Sequence, residues 1–303
     1  MTLAYRHNYI QDFRLKKLSL KNKVFSKIPE HRHLRGSIVR EHIYSRYLEN
    51  SRDIDIYLPP TYFQNPGKRY PVLYMHDGNN LFYPQIAFAG VTWQVDSTVD
   101  KMINNGLIEE IIVVGIHNTM GRNYEYTWTE MKSYHGKEGG GGSQYARFLI
   151  DELKPLIDYK FRTLGDRNNT AVMGSSLGGL ISFYLGLYYS DVFGKVGMIS
   201  PSLWWDKGAA FNHVKHLPSH LKIWMDMGTR EGYRRSTKEN INIMMTRYMK
   251  ESFQQRGYKE GYNLAYMEDK GGQHNEYWWS QRLHMPLIFL FGKRHSLIFS
   301  KVQ

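Results

Sequence analysis

The sequence of 303 residues contains no cysteine. Disulfide bonds, catalysis by a thiolate and zinc sites built from cysteine are therefore excluded. Long apolar runs are also missing. The longest apolar run near the C-terminal end, residues 285–292, is far shorter than the roughly 20 residues that a membrane-spanning helix needs. The N-terminus lacks the continuous apolar segment of a secretory signal. We therefore expect a soluble protein located in the cytoplasm.

Excess charge is missing from the middle of the chain. The net charge is +12, of which residues 1–52 carry +8 and residues 282–303 carry +4, so residues 53–281 are neutral. Nucleic-acid binding needs basic residues gathered on a recognisable module, and the sequence shows no such module. We expect no nucleic-acid partner and interpret the basic ends as solvated. Attraction of an acidic ligand or surface is the alternative.

Segments typical of strands and of helices alternate from residue 36 onwards. The first two, SIVREHIYS and RDIDIYLPPTY, alternate apolar and polar residues, as half-buried antiparallel strands do. Six later apolar segments, beginning with YPVLYMHDG, are typical of buried parallel strands. Helical patterns separate them. We predict an α/β fold with a mostly parallel sheet of about eight strands and helices on both faces.

No linker or internal repeat divides residues 36–303, which we predict to be one domain. Residues 1–35 lack a strong periodicity, and we interpret them as a basic N-terminal extension packed on it. The helical segment that contains Pro155 should kink or break there, because proline cannot donate a backbone hydrogen bond. A later helix should end at Gly257. The glycine-rich residues 136–145 predict a flexible loop before a helix.

Residues 174–178, GSSLG, match the pattern G-x-S-x-G between a predicted strand and a predicted helix. That context is the one a nucleophile elbow requires, because small neighbours allow a strained turn that exposes the central hydroxyl. The following helix presents unpaired N–H groups and its positive end to a developing oxyanion. We predict that Ser176 is the nucleophile and Ser175 a spacer. The alternative is a helix start that is glycine-rich only for packing.

A serine nucleophile needs a base. In folds that carry such a nucleophile elbow, the chain order is serine, acid, histidine. His274 is the candidate base, because it follows the last predicted strand in a glycine-bearing loop, at the sheet edge where active sites collect. The alternative is a surface histidine. Two acids are candidates for orienting it, Glu231 and Asp226. We favour Glu231, since it lies on the loop after its strand, whereas Asp226 lies within the strand.

Three other histidines, His213, His216 and His220, have a spacing that could suggest a metal-binding face. Pro218 interrupts that helix, and no carboxylate is patterned with the three. We therefore predict no metal and no organic cofactor.

An oxyanion hole requires two backbone N–H groups. We assign one to Leu177, directly after the nucleophile, and the other to Gly78 or Asn79 in the loop HDGNNLF. Tryptophans in loops after predicted strands could line an acyl or alcohol pocket, with ordinary packing as the alternative. These tryptophans are Trp93, Trp204 and Trp205.

Nine segments, in order, resemble the putative-esterase branch of the α/β-hydrolases, which includes enterochelin-type siderophore esterases and feruloyl and acetylxylan esterases. They are RDIDIYLPPTY, YPVLYMHDGNNLF, TWQVD, IIVVGIHN, RNYEYTW, MGSSLGGLISFY, SPSLWW, MGTREG and GGQHNEYWW. The resemblance covers about residues 36–290 and implies the α/β-hydrolase fold. It implies a nucleophile at Ser176, an acid at Glu231 and a base at His274. It also implies that Arg122 and Glu125 shape the cleft.

These residues predict a serine carboxylic-ester hydrolase that forms an acyl-enzyme and acts on a small-molecule ester, such as a siderophore trilactone. Some members of the family transfer acyl groups, so an acyltransferase is one alternative. A catalytically inactive binding module is another, although the complete order of Ser176, Glu231 and His274 argues against it. The basic ends of the chain would suit an anionic siderophore only if they border the cleft.

Overall fold

The structure, a computed structural model, describes residues 34–133, 136–234 and 239–293. The chain divides into two compact units, Met1–Leu34 and Arg35–Gln303. The predicted N-terminal extension lies outside the described residues, except for its last two. The fold set out below belongs to the second unit.

Eight strands of the described chain form one sheet. In chain order the strands are β1 (Ser37–Ser45), β2 (Asn50–Leu58), β3 (Val72–Met75), β4 (Ile112–Ile116), β5 (Glu130–Ser133), β6 (Gly136–Gly139), β7 (Thr170–Ser175), β8 (Lys195–Ile199), β9 (Lys222–Gly228), β10 (Tyr233–Arg234), β11 (Glu239–Asn240) and β12 (Leu264–Asp269). The sheet order is β1-β2-β4-β3-β7-β8-β9-β12. The pairs β1–β2 and β2–β4 are antiparallel and the others are parallel. The predicted, mostly parallel sheet of about eight strands is confirmed.

Both faces of the sheet are buried. Along β3, Val72 and Tyr74 belong to one hydrophobic cluster, whereas Leu73 and Met75 belong to another. Successive side chains of a strand point to opposite faces, so helices cover the sheet on both sides, as predicted. The helices are α1 (Val95–Asn104), α2 (Arg122–Glu125), α3 (Gly142–Arg147), α4 (Lys154–Lys160), α5 (Leu177–Tyr188), α6 (Ala210–His213), α7 (Ile241–Gln255), α8 (Glu276–Arg282) and α9 (His284–Phe291).

The helix around Pro155 does not break. A π-helical segment, Phe148–Leu153, joins α3 to α4, and Pro155 lies in the first turn of α4. The proline ring crowds the carbonyl four residues earlier, and that residue, Asp151, lies inside the wider π-helical turn. The expected irregularity is therefore a local widening. Helix α7 ends two residues before Gly257, which has a φ of 90°, as the sequence predicted.

The prediction of a flexible loop in the glycine-rich segment is wrong. Gly136–Gly139 forms β6, which pairs with β5, and α3 begins at Gly142. A Cβ atom at Gly139 would lie 2.3 Å from the Thr127 hydroxyl oxygen. The glycines therefore allow a hairpin to pack closely against its neighbours.

The sheet order brings several loops to one edge. β3, β7, β8, β9 and β12 are successive neighbours and run parallel. The loops that follow their carboxyl ends therefore lie side by side, which is where ligands bind in open α/β sheets.

Candidate active site

Ser176 lies at the corner between β7 and α5. Its backbone has φ 59° and ψ −124°, a conformation that a residue with a side chain rarely adopts and that surrounding structure must hold. A Cβ atom at Gly174 would lie 2.8 Å from the carbonyl carbon of Gly178. The chain therefore folds tightly around the serine only because small residues flank it. Ser175, by contrast, is buried at the end of β7.

Three backbone N–H groups lie on the turns that follow β3 and β7. In the described part of the chain, no hydrogen bond is donated by the backbone N–H of Leu177, Gly78 or Asn79. Their neighbours are engaged: the N–H of Asp77 donates to the Tyr126 hydroxyl at 3.1 Å. Gly78 begins a 3₁₀ turn after β3, where a Cβ atom would lie 2.5 Å from the carbonyl carbon of residue 115. These groups are the ones that the sequence assigned to an oxyanion hole.

His274 and Glu231 form a close pair on the loops that follow β12 and β9. The Nδ1 atom of His274 lies 2.6 Å from Oε2 of Glu231. The Glu231 side chain is completely buried, whereas 42% of the His274 side chain is exposed. The imidazole therefore has a buried carboxylate behind it and solvent in front of it.

The second oxygen of Glu231 is also engaged. Oε1 accepts the N–H of Gly228 at 2.9 Å and the hydroxyl of Ser200 at 2.7 Å. A Cβ atom at Gly228 would lie 2.4 Å from this oxygen, so only glycine leaves room for the carboxylate. The carboxylate is thus fixed by both of its oxygens, with Oε2 directed at His274.

Asp226, the alternative acid, faces different partners. Its Oδ1 lies 3.0 Å from Nη2 of Arg282, and its Oδ2 accepts the indole N–H of Trp224 at 2.8 Å. Within the described residues it makes no hydrogen bond to His274. Burial raises the pKa of Asp226, and Arg282 partly opposes that effect. The geometry favours a structural role for Asp226 beside Arg282.

Two serines that sequence reasoning missed lie on the loop after β8. Ser202 Oγ lies 3.1 Å from Ser176 Oγ, and the Ser202 N–H donates to the Ser176 carbonyl at 3.0 Å. Ser200 contacts Glu231, as described above. Ser176 and His274 make no hydrogen bond to each other within the described chain. The available signal was the segment SPS directly after a buried strand, at the predicted site edge.

The three tryptophans separate into two groups. Trp93 is buried and packs on Trp279, with ring centroids 5.5 Å apart. Trp205 is also buried, and its indole N–H donates to the Thr129 carbonyl at 2.9 Å. Trp204 is 47% exposed. Packing therefore accounts for Trp93 and Trp205, and only Trp204 of the three is open to a ligand.

Arg122 braces the loop that carries Gly78 and Asn79. Its Nε and Nη2 atoms donate to the two Asp77 carboxylate oxygens at 2.7 and 2.9 Å, forming a bidentate ion pair. Glu125 points elsewhere: it forms a buried ion pair with Arg52 at 2.7 Å. Glu125 therefore anchors α2 to β2, while Arg122 is the member of this segment that adjoins the site.

His76 lies beneath the serine corner and is completely buried. Its Nδ1 atom is 2.9 Å from the Tyr145 hydroxyl, while Nε2 has no hydrogen-bond partner among the described residues. Burial lowers the pKa of His76 from 6.5 to about 3. The ring is therefore neutral at physiological pH, and it serves as packing for the corner.

Acidification should destabilise the protein through His76. Between about pH 6.5 and about pH 3 the unfolded chain binds a proton that folded His76 does not, so this contribution to stability is lost as pH falls. From about pH 6.5 to about pH 4.5 the expected loss is about 2 kcal/mol. Urea unfolding of the wild type and of His76→Gln at both pH values measures the difference. The exposed His220→Gln variant is the control and should keep the wild-type slope. Equal slopes in all three proteins would contradict the assignment.

The described residues contain neither a candidate metal site nor a candidate membrane-spanning helix. Within residues 34–133, 136–234 and 239–293, no group of three or more His, Cys, Asp or Glu side chains could hold a metal ion. His213 contacts the Tyr188 hydroxyl, and His220 lies 3.3 Å from the Ser190 carbonyl. No helix of these residues is long and apolar enough to cross a bilayer.

The sheet topology and the strained serine after β7 define an α/β-hydrolase. Residues 45–290 match the family described as "Putative esterase", and the chain belongs to that family. It is therefore a carboxylic ester hydrolase, as the sequence predicted.

Three proteins illustrate the likeness. YbbA of Bacillus subtilis, an uncharacterized protein, is 28% identical over 258 residues, which are 84% of this chain and 98% of YbbA. The ferri-bacillibactin esterase BesA of Bacillus subtilis is 26% identical over 170 residues, 52% of this chain and 56% of BesA. The solved structure of a ferulic acid esterase superposes with a TM-score of 0.66 at 20% identity, covering 85% of this chain and 98% of that one. At this identity, the structural likeness concerns the fold.

Proposed function

We propose that the protein hydrolyses small carboxylic esters with Ser176 as nucleophile, His274 as general base and Glu231 as the orienting acid. The observation that supports this most strongly is the 2.6 Å contact between His274 Nδ1 and Glu231 Oε2, on the same sheet edge as the strained Ser176. A carboxylate at Nδ1 favours the tautomer that carries its proton there. Nε2 is then left with a lone pair to accept the serine proton.

The reaction proceeds in two halves. Ser176 Oγ attacks the ester carbonyl while His274 accepts its proton, and the N–H of Leu177 with that of Gly78 or Asn79 stabilises the oxyanion. His274 then returns the proton to the leaving alcohol, and water releases the acid from Ser176. In the resting enzyme Ser176 is hydrogen-bonded to Ser202. The bond to His274 then forms when substrate binds, since catalytic hydrogen bonds often tighten at that stage.

The charges around the site favour an ester without high negative charge. Arg122 is already paired with Asp77, as described above. Glu276, two residues after His274, is half-buried and accepts a hydrogen bond from the Asn80 side chain at 3.1 Å. A small neutral ester is therefore our first candidate. The relative BesA, a ferri-bacillibactin esterase, supports a siderophore trilactone as the second; the basic ends of the chain would attract it only if they border the cleft.

Salt dependence should separate these substrates. Between about 0.01 M and about 0.15 M salt the screening length falls from roughly 30 to 8 Å, so long-range attraction weakens strongly. We expect kcat/KM for a neutral aryl ester to change less than about twofold over this range. If the trilactone is the natural substrate, its kcat/KM should fall markedly over the same range. An equal response of the two esters would remove charge steering from the explanation.

Covalent labelling tests the proposed nucleophile directly. An aryl phosphonate should inactivate the purified enzyme and add one adduct, which peptide mass spectrometry should locate on Ser176. The Ser175→Ala variant should be labelled at the same position. Modification of Ser175, Ser200 or Ser202 instead would contradict the assignment.

Adding alcohol acceptors to the aryl-ester assay separates hydrolysis from acyl transfer, because a transferase forms a new ester.

A further inference from the structure

Ser200 is the meeting point of the side chains behind the His274–Glu231 pair. It follows β8 and is 1% exposed. Its Oγ atom lies 2.7 Å from Glu231 Oε1, 3.1 Å from the Trp279 indole nitrogen and 2.7 Å from Arg282 Nη2. Three partners around one hydroxyl use its whole hydrogen-bonding capacity, since a serine hydroxyl has one donor and two acceptor sites.

The chemistry of these partners fixes where the Ser200 proton points. The indole N–H of Trp279 and the guanidinium of Arg282 can only donate. Both therefore occupy the acceptor sites of Ser200. The hydroxyl proton is left for Glu231 Oε1, the remaining partner and an acceptor. This direction follows from the donor and acceptor types alone.

That proton determines how Glu231 faces His274. Oε1 accepts hydrogen bonds from the Ser200 hydroxyl, from the N–H of Gly228 and, at 3.5 Å, from Arg282 Nη2. The carboxylate cannot turn without losing these bonds, of which the one to Ser200 is among the two shortest. Oε2 therefore stays directed at His274 Nδ1. Trp279 adds a second constraint, because its ring also meets the His274 ring edge to face, with centroids 4.9 Å apart.

The backbone of Ser200 is held in an unusual conformation. Its φ is 43°, in the left-handed region that residues with side chains seldom occupy. The Ser200 N–H donates to the Asp226 carbonyl at 3.0 Å and approaches its Oδ1 at 3.3 Å. Such strain persists only where the surroundings over-determine it, and it concentrates at functional sites.

We propose that Ser200 is a positioning residue for the reaction, in which its hydroxyl proton holds Glu231 so that His274 keeps its proton on Nδ1. The catalytic consequence rests on the proposed function, whereas the hydrogen bond itself does not. A purely structural serine would stabilise the fold without changing the state of His274.

Two variants remove the hydroxyl in different backbone settings. Ser200→Ala keeps a side chain at the positive φ, and Ser200→Gly accommodates that φ without strain. Because one hydrogen bond to a charged group corresponds to roughly 10- to 150-fold, both should lower kcat by about that factor. KM should change less than about twofold, since the lost interaction acts in the transition state. If kcat falls in only one of the two variants, the loss comes from the backbone conformation and not from the missing hydroxyl.

Ser45→Ala is the matched control. Ser45 is also completely buried, and its hydroxyl donates to a carboxylate, Glu152, at 2.7 Å. It belongs to the distant edge strand β1, four strands from β7 in the sheet order. This variant should lose stability but retain the wild-type kcat and KM.

Proton NMR tests the inference without activity. The low-field resonance of the His274 Nδ1 proton, identified by its loss in His274→Ala, should be present in the wild type and in Ser45→Ala. It should broaden or disappear in Ser200→Ala and Ser200→Gly. If neither folds, Ser200→Cys, which keeps a similar shape but donates more weakly, carries the same test with a smaller change. Wild-type kcat and an unchanged resonance in the Ser200 variants would overturn the inference. An inactive wild type with the expected resonances would instead overturn the proposed function.

Discussion

Replacing Ser176 with alanine should lower kcat for an aryl ester by roughly 10⁴- to 10⁶-fold. Ser176 is the residue that the strained corner between β7 and α5 carries. Ser202 Oγ lies 3.1 Å from Ser176 Oγ but belongs to the loop after β8, away from the start of α5. The residual rate should reflect substrate binding and the oxyanion N–H groups, which the substitution leaves in position. Steady-state kinetics with freshly purified protein measures the loss.

Ser175→Ala is the control for that experiment. Ser175 is the last residue of β7 and is buried in the sheet, so its hydroxyl does not reach the site edge. This variant should keep most of the wild-type kcat. Both proteins should unfold at temperatures close to that of the wild type, because alanine meets the same backbone strain at position 176 that serine does. Equal losses of activity in the two variants would contradict the assignment of Ser176 as the nucleophile and Ser175 as a spacer.

Sequence patterns were sufficient for the fold because burial imposes a simple period. Each main-sheet strand is a short apolar or alternating run, and the serine corner is bounded by glycines that no looser turn requires. The pairing of Glu231 with His274 was also within reach, since each follows a strand at the same edge. Local patterns carry this information, and long-range contacts only have to agree with them.

The contacts of Ser200 and Arg282 could not be predicted in the same way. The contacts of the Ser200 hydroxyl join residues separated by 31 to 82 positions in the chain. A single serine or arginine has no sequence pattern that indicates a buried partner. Trp93 shows the same limit: it follows a predicted strand, yet it packs on Trp279 and not in a pocket. The prediction of a loop in the glycine-rich segment was wrong for another reason: glycine permits both flexible loops and close packing.

The two candidate acids should respond in opposite ways to loss of charge. Glu231→Gln replaces an acceptor at His274 Nδ1 with an amide that can donate, which favours the wrong tautomer. We expect kcat to fall by roughly 10³- to 10⁴-fold. The fold should survive, since Arg282 still contacts Asp226 at 3.0 Å and Asp269 at 3.2 Å.

Asp226→Asn should instead act on stability. It removes the charge closest to the buried Arg282, and breaking a buried ion pair costs about 3–5 kcal/mol. His274 keeps its partner, so kcat should remain within about tenfold of the wild type at a temperature where the protein is folded. Urea unfolding and aryl-ester kinetics on both variants give a two-by-two comparison. A catalytic collapse in Asp226→Asn together with near wild-type kcat in Glu231→Gln would transfer the role of the acid to Asp226. Losses of the same kind in both variants would show that Arg282 couples the two carboxylates too strongly to assign the role to either one.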